Sequence, residues 1–268
     1  MAIQRLEVSD PAFSEANTTT VTINSSHIEG RRDVTIYNSV SPSTSNVPMV
    51  VLLHGVYGSH WVWMRLGGVH LVYEQLKVQG LGDFVLVMPS DGGLWEGSAY
   101  LPLPQGNFER WIVEDVINAA IEQCDCLSQN SRIYLSGLSM GGYGTLRLGA
   151  KYPARFSGLS AHSSVTTLAD LQQFVEYPVS NYQCVDSHEA ELLHWFNLNK
   201  ANTPPLRLDC GEEDSLFASN MELSKQLSEI GIKHDFQVYA GGHEWSYWHR
   251  HVATTLKFFD QLEQAQLK

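Results

Sequence analysis

Cysteine is scarce: only Cys124, Cys126, Cys184 and Cys210 occur in 268 residues, too few for a disulfide framework at this length. Cys124-x-Cys126 lacks a second closely spaced pair, so no metal site is expected and the thiols read as reduced. Positive charge is also short, with 17 Lys and Arg against 29 Asp and Glu and a formal net charge of −12. Such a field repels phosphate backbones and anionic lipids, so neither nucleic acid nor a membrane is expected as a partner. The longest apolar runs, residues 49–53 and 84–88, are about strand length and too short to cross a bilayer. No apolar leader follows the arginine near the start of the chain, which sets a cytoplasmic location as the expectation. Repeats and low-complexity tracts are lacking too.

What is present reads as an ordinary globular chain, 43% hydrophobic and 17% charged, with residues 1–268 expected to form a single domain. Residues 18–24 and 33–38 are rich in β-branched side chains and predict an antiparallel pair of strands. Short apolar runs then recur at 49–53, 84–88, 132–136, 156–160, 206–210 and 235–239, mostly separated by helical patterns. Phe108, Ile112, Val116, Ala119 and Ala120 share a helix face, with Asn107 as the N-cap. A second helix is expected from the capping box Ser219-x-x-Glu222 to a stop at Gly231. Strand and helix in alternation predict a mainly parallel central sheet with helices on both faces. Residues 163–205 break the alternation and read as an insertion over one end of the sheet.

The chemically informative stretch is Gly137-Leu138-Ser139-Met140-Gly141, a Gly-x-Ser-x-Gly. Chance supplies roughly 0.15 such matches in a chain of this composition, so the motif needs its context. A strand pattern enters it and a helix pattern leaves it, as a nucleophile elbow requires. A serine hydroxyl needs a base to take its proton and an acid to orient that base. In a sheet enzyme with this elbow the partners follow in the order serine, acid, histidine, each after a later strand. His243, in Gly-Gly-His-Glu-Trp just past the last strand, fits the base, with His162 as the nearest rival. Asp214 fits the acid: Asp209 lies inside a strand pattern, and Glu212 and Glu213 read as solvated loop charges. Two backbone N–H donors are needed for the oxyanion. Met140, first in its helix, and Val56, in the turn after the strand at 49–53, are the candidates, and His54 reads as a brace for that turn.

Taken together, Leu-Leu-His-Gly (52–55), Gly-Leu-Ser-Met-Gly-Gly-Tyr-Gly (137–144), Tyr-Pro-Ala-Arg-Phe (152–156), Asp-Cys-Gly-Glu-Glu-Asp (209–214) and Gly-Gly-His-Glu-Trp-Ser-Tyr-Trp (241–248) resemble the esterase D-like esterases. Relatives of that family include S-formylglutathione hydrolases, tributyrin, feruloyl and acetylxylan esterases, and mycolyltransferases. The resemblance implies an α/β-hydrolase fold, a triad of Ser139, Asp214 and His243, and Val56 and Met140 at the oxyanion. S-formylglutathione hydrolases typically have a cysteine soon after the oxyanion-loop glycine and a histidine where Tyr143 stands. Neither is here, which argues against a glutathione thioester.

The resulting expectation is a serine carboxylesterase acting on small-molecule, short-chain acyl esters, with aryl or acetyl-sugar esters as variants, through an acyl-enzyme. It would need no cofactor, and a homo-oligomer is compatible with the sequence. An acyltransferase of the same fold, an S-formylglutathione-type thioester hydrolase and a non-catalytic binding module are the alternatives. Pocket walls are expected from Tyr57, Trp61, Trp63, Asp91, Trp95, Tyr143 and Trp245, most of which follow the carboxyl ends of strands.

Overall fold

Short runs of Val, Ile and Leu become strands, and the computed structural model describes them within residues 2–41 and 43–266. They are β1 (Ile3–Val8), β2 (Thr18–Ser25), β3 (Arg31–Tyr37), β4 (Met49–Leu53), β5 (Val85–Pro89), β6 (Pro102–Leu103), β7 (Gly106–Asn107), β8 (Ile133–Leu138), β9 (Gly158–His162), β10 (Leu206–Gly211) and β11 (Asp235–Tyr239). Except for the small β6–β7 ladder they form one sheet in the order β1-β2-β3-β5-β4-β8-β9-β10-β11. The first four strands in that order pair antiparallel. From β5 to β11 every pairing is parallel. Parallel neighbours aim their carboxyl ends at the same edge, and that edge carries the site.

Helices cover both faces: α1 (Val62–Arg65), α2 (Val69–Val78), α3 (Phe108–Arg110), α4 (Ile117–Gln123), α5 (Met140–Lys151), α6 (Leu168–Leu171), α7 (Leu192–Leu198), α8 (Phe217–Glu229) and α9 (Trp245–Gln266). The period-two alternation of a strand splits β4 between two cores. Val50 and Leu52 pack with Tyr73 of α2 and Leu256 of α9. Met49, Val51 and Leu53 face the core that also holds Leu146 of α5, Phe196 of α7 and Leu227 of α8. Residues 163–205 contain α6, α7 and two short 3₁₀ turns but no strand. The insertion is tied down by charge. Buried Arg147 of α5 meets both Glu109 of α3 and Glu189 of the insertion, and Lys151 reaches the same two carboxylates at 2.9 and 2.5 Å. Two cations against two carboxylates leave no buried charge uncompensated.

Four local features differ from the sequence reading. The helix after Asn107, whose side chain accepts from the Arg110 N–H, widens into a π-helical stretch over Trp111–Val116 between α3 and α4. The wide turn buries Trp111, Ile112, Val113 and Asp115 together, which a regular amphipathic turn would not. Ser219 is not an N-cap: α8 starts earlier, where Asp214 Oδ1 accepts the Leu216 N–H at 2.8 Å, and the Ser219 hydroxyl donates to Asp170 instead. Strands β8 and β9 each end two residues later than their apolar runs, because Leu138 of β8 still pairs with His162 of β9 at the sheet edge. Finally, β1 adds an edge strand where no strand was expected. Its mostly solvent-facing side chains leave only Ile3 and Leu6 packed against the core.

Candidate active site

Ser139 stands at the turn between β8 and α5 with φ 54° and ψ −120°, a backbone region that costs about 1–3 kcal/mol for a non-glycine residue. The surroundings hold it there. Its N–H donates to His162 O at 3.0 Å, and its carbonyl accepts the N–H groups of Tyr143 and Val165 at 3.2 and 3.1 Å. The glycines on either side are required by close approach. A Cβ on Gly137 would lie 2.2 Å from Gly141 O, and one on Gly141 would lie 2.3 Å from Leu53 O. The Gly-x-Ser-x-Gly spacing is therefore a packing requirement of strand against helix.

Three loops from the same sheet edge bring the remaining groups to Ser139. His243, on the loop between β11 and α9, places Nε2 at 3.0 Å from Ser139 Oγ. Asp214, after β10, lies against the other ring nitrogen, with its two oxygens 3.1 and 3.0 Å from Nδ1. Glu213 N–H donates to Gly241 O and Glu212 N–H to Tyr239 O, so the acid loop and the histidine loop are laced together. Burial raises the Asp214 carboxyl, but hydrogen bonds from His243 and the Leu216 N–H outweigh it and hold the group below its ordinary value. A carboxylate at Nδ1 fixes the tautomer that leaves Nε2 free to accept the serine proton. Glu212 and Glu213 are exposed, as their loop position predicts. Asp209 and His162 face the interior, where both are fully buried.

Val56 follows β4 in a braced turn. His54 Nδ1 lies 2.6 Å from Gly55 O, His54 Nε2 accepts the Asp91 N–H at 2.9 Å, and Tyr100 donates to His54 O at 2.9 Å. His54 thus serves as a brace. Among the described residues the Val56 and Met140 N–H groups have no hydrogen-bond acceptor. Met140 is the first residue of α5, where helix N–H groups have no partner in the helix and the dipole favours negative charge.

A cavity of about 380 Å³ opens beside Ser139 and His243, walled mainly by Val62, Leu138, Phe174, Trp245 and Trp248, with Glu244 beside them. Of the seven residues expected to line it, only Trp245 does. Trp63 is buried behind Trp245, donating to Leu53 O at 3.0 Å and meeting the Trp245 ring edge-on at 6.0 Å. Buried Asp91 accepts from the Gly93 and Ser98 N–H groups and shapes its own loop. Tyr143 is core, its hydroxyl donating to Ala190 O at 2.7 Å. Trp95 stacks on Tyr177 at 4.1 Å, while Tyr57 and Trp61 project into solvent. Position after a strand fixed the neighbourhood of these side chains and not their direction. Trp248 could have been found, since it lies one helical turn from Trp245 on α9. Phe174 carried no sequence signal.

Burial pushes the Cys124 thiol up to about 12, which disfavours a metal-binding thiolate there, and Cys124 and Cys126 are free. No group of three His, Cys, Asp or Glu side chains converges on a metal position among the described residues. Nor is any described helix long and apolar enough to cross a membrane.

Comparison with known proteins agrees with this architecture. An acetyl esterase from Caldicellulosiruptor saccharolyticus is 24% identical over 237 residues, covering 82% of this chain and 85% of that protein. The fold superposes on a ferulic acid esterase with a TM-score of 0.79 at 22% identity, covering 96% of this chain and 99% of the other. An S-formylglutathione hydrolase from Staphylococcus aureus gives 0.75 at 18% identity, over 96% and 100% of the two chains. Residues 25–259 match the family described as "Putative esterase", so the chain belongs to that family and is an esterase of the α/β-hydrolase fold.

Proposed function

We propose that the chain is a serine carboxylesterase for short-chain acyl esters. The observation that carries this reading is the unbroken sequence of contacts from Asp214 through His243 to Ser139 Oγ, ending at a cavity. His243 takes the Ser139 proton as Oγ attacks the ester carbonyl, and Asp214 holds the ring and stabilises the imidazolium. The Val56 and Met140 N–H groups receive the oxyanion. His243 then protonates the leaving alcohol, and water repeats the sequence to release the acid. No cofactor enters these steps.

Substrate size follows from the walls. Trp245 is wedged against Trp63, Trp248 and the Gly67 backbone turn, so the cavity cannot enlarge without unpacking several rings. Each buried methylene adds about 0.8 kcal/mol only until such a pocket is full. An aryl acyl group is a second reading, favoured by the ring surfaces of Phe174, Trp245 and Trp248 and by the likeness to a ferulic acid esterase. The four free thiols support a reducing, cytoplasmic setting. A fluorophosphonate probe should label Ser139, and p-nitrophenyl esters from two to twelve carbons should be hydrolysed best at two to four. Absence of labelling would overturn the serine mechanism. A steady rise in kcat/KM to twelve carbons would overturn the short-chain assignment and leave the mechanism standing.

A further inference from the structure

One side chain reaches the site from the insertion. The ring of Phe174 stacks on the His243 imidazole with centroids 4.7 Å apart and planes 24° apart. Trp248 meets the same imidazole edge-on, at 5.0 Å and 87°. The segment that presents Phe174 is anchored on both sides. Thr167 and Asp170 form a capping box at the start of α6. Beyond α6, the Gln172 side chain donates to Val175 O at 3.0 Å and accepts the Val179 N–H at 2.9 Å. Leu171 and Val175, flanking Phe174, are buried.

We propose that Phe174 is a positioning residue for His243, fixing the plane of the imidazole and stabilising the imidazolium formed when the ring takes the Ser139 proton. This rests on the role proposed for His243 above. A leucine of similar bulk could fill the same space, but it has no π face. The negative face of an aromatic ring attracts a cation more than a neutral ring, so the contact strengthens as charge develops on the base. That is the property required of a group that favours the transition state over the ground state. The ionisable groups facing His243 are Asp214, on the loop after β10, and Glu244, in the cavity wall. Phe174 from the insertion, Trp245 and Trp248 from α9, Ser139 ahead of α5, and Val56 and Gly58 after β4 bring no charge to it.

Phe174→Leu and Phe174→Met keep an apolar wall and remove the ring face, whereas Phe174→Tyr retains it. With p-nitrophenyl acetate, both aliphatic variants should lose about five-fold in kcat, with KM within about two-fold. The acid limb of their kcat/KM profile should move to lower pH, because the protonated base loses its partner. Phe174→Tyr should restore both kcat and the limb. Wild-type kcat and an unmoved limb in the aliphatic variants would overturn the proposal, as would a rise in KM alone, which would make Phe174 a substrate wall only. Two aliphatic variants guard against one failing to fold. The underlying reading is tested separately by His243→Ala, in which undiminished turnover would remove the base itself.

Discussion

Two chains of hydroxyl, imidazole and carboxylate lie close together in this molecule, and only one opens on a cavity. Beside Ser139–His243–Asp214 runs Thr255–His162–Asp209, with Thr255 Oγ1 2.7 Å from His162 Nε2 and His162 Nδ1 2.8 Å from Asp209 Oδ2. The second pair is close but lacks the alignment of a regular hydrogen bond. The two share a backbone seam: Ser139 N–H donates to His162 O, and Ser163 N–H donates to Asp209 O. Their differences lie in access and in the company of the acid. Thr255, His162 and Asp209 are fully buried. Asp209 is also held by the Arg207 guanidinium and accepts the Tyr247 hydroxyl at 2.8 Å. Its charge is already neutralised. Asp214 has no arginine; its partners are His243 and the Leu216 N–H, so a charge forming on His243 meets a carboxylate free to stabilise it. Residue type alone does not make a relay. On the proposed reading, the relay is the one with an open end and an acid that no arginine neutralises.

The largest effect that separates the two chains is at the hydroxyl. Ser139→Ala should lower kcat by about 10⁶-fold, as loss of the nucleophile does in a serine protease, and abolish probe labelling without changing the thermal melt. Thr255→Val should reverse that pattern. Its hydroxyl lies within hydrogen-bond reach of His162 Nε2 and Ser160 Oγ, so its loss should cost about 1–3 kcal/mol of stability while kcat stays within about two-fold. A tenfold loss of kcat in folded Thr255→Val would mean that the buried chain also supports turnover.

At the acids the contrast should be smaller but still clear. Asp214→Asn removes the group that sets the tautomer and should cut kcat by about 10⁴-fold. Glu212→Gln and Glu213→Gln should leave it within about two-fold. Asp209→Asn leaves Arg207 as a buried charge without its carboxylate, so about 3–5 kcal/mol of stability should be lost, read as a lower urea midpoint. Sensitivity of kcat to a glutamate in place of Asp214 would displace the assignment of the acid.

The same acid predicts how stability depends on pH. Burial raises the Asp209 carboxyl, but His162 and Arg207 outweigh it and hold the group at about 2, below the roughly 3.9 of an unfolded chain. The native state therefore binds fewer protons than the unfolded state in between. The stabilisation is fully present above about pH 4 and is lost as pH falls toward about 2. Urea midpoints measured across that window should drop in the wild type and flatten in Asp209→Asn. Parallel curves for the two proteins would remove Asp209 as the source.

Much of this was legible in the sequence where a position has a single physical solution. Gly137 and Gly141 are dictated by backbone contacts within a few residues of Ser139 and with the end of β4, so the elbow announces itself. The crowded carboxylates separate because a residue inside β10 must face a core, while the first buried acid after it can turn back toward the sheet edge. Legibility fails where direction depends on distant partners. Trp63 follows the oxyanion turn as expected but points inward to Leu53 O. Phe174 reaches His243 only because the insertion folds back across the sheet edge, a contact between residues 69 positions apart. The start of α8 is not legible because the turn leading into it is held by Asp214, which accepts the Leu216 N–H while also lying against the His243 ring.

The smallest expected effect probes whether the two chains communicate. Tyr247 touches both: its hydroxyl donates to Asp209, and its ring lies under Gly241 of the loop that carries His243, where a Cβ would stand 3.0 Å away. Tyr247→Phe keeps the ring and removes only the hydroxyl. Asp209 retains Arg207, so the loss should be that of one hydrogen bond to a charged group, about 1.5–3 kcal/mol at most. The loop should stay supported by the ring, by Glu213 N–H on Gly241 O and by Tyr247 N–H on Glu244 O, leaving kcat within about three-fold. A double-mutant cycle with Asp209→Asn should show coupling in stability, since the two share one bond, and none in kcat. If kcat instead fell more than tenfold in Tyr247→Phe, the hydroxyl contact would be transmitting the buried arrangement to His243, and the two chains would have to be treated as one.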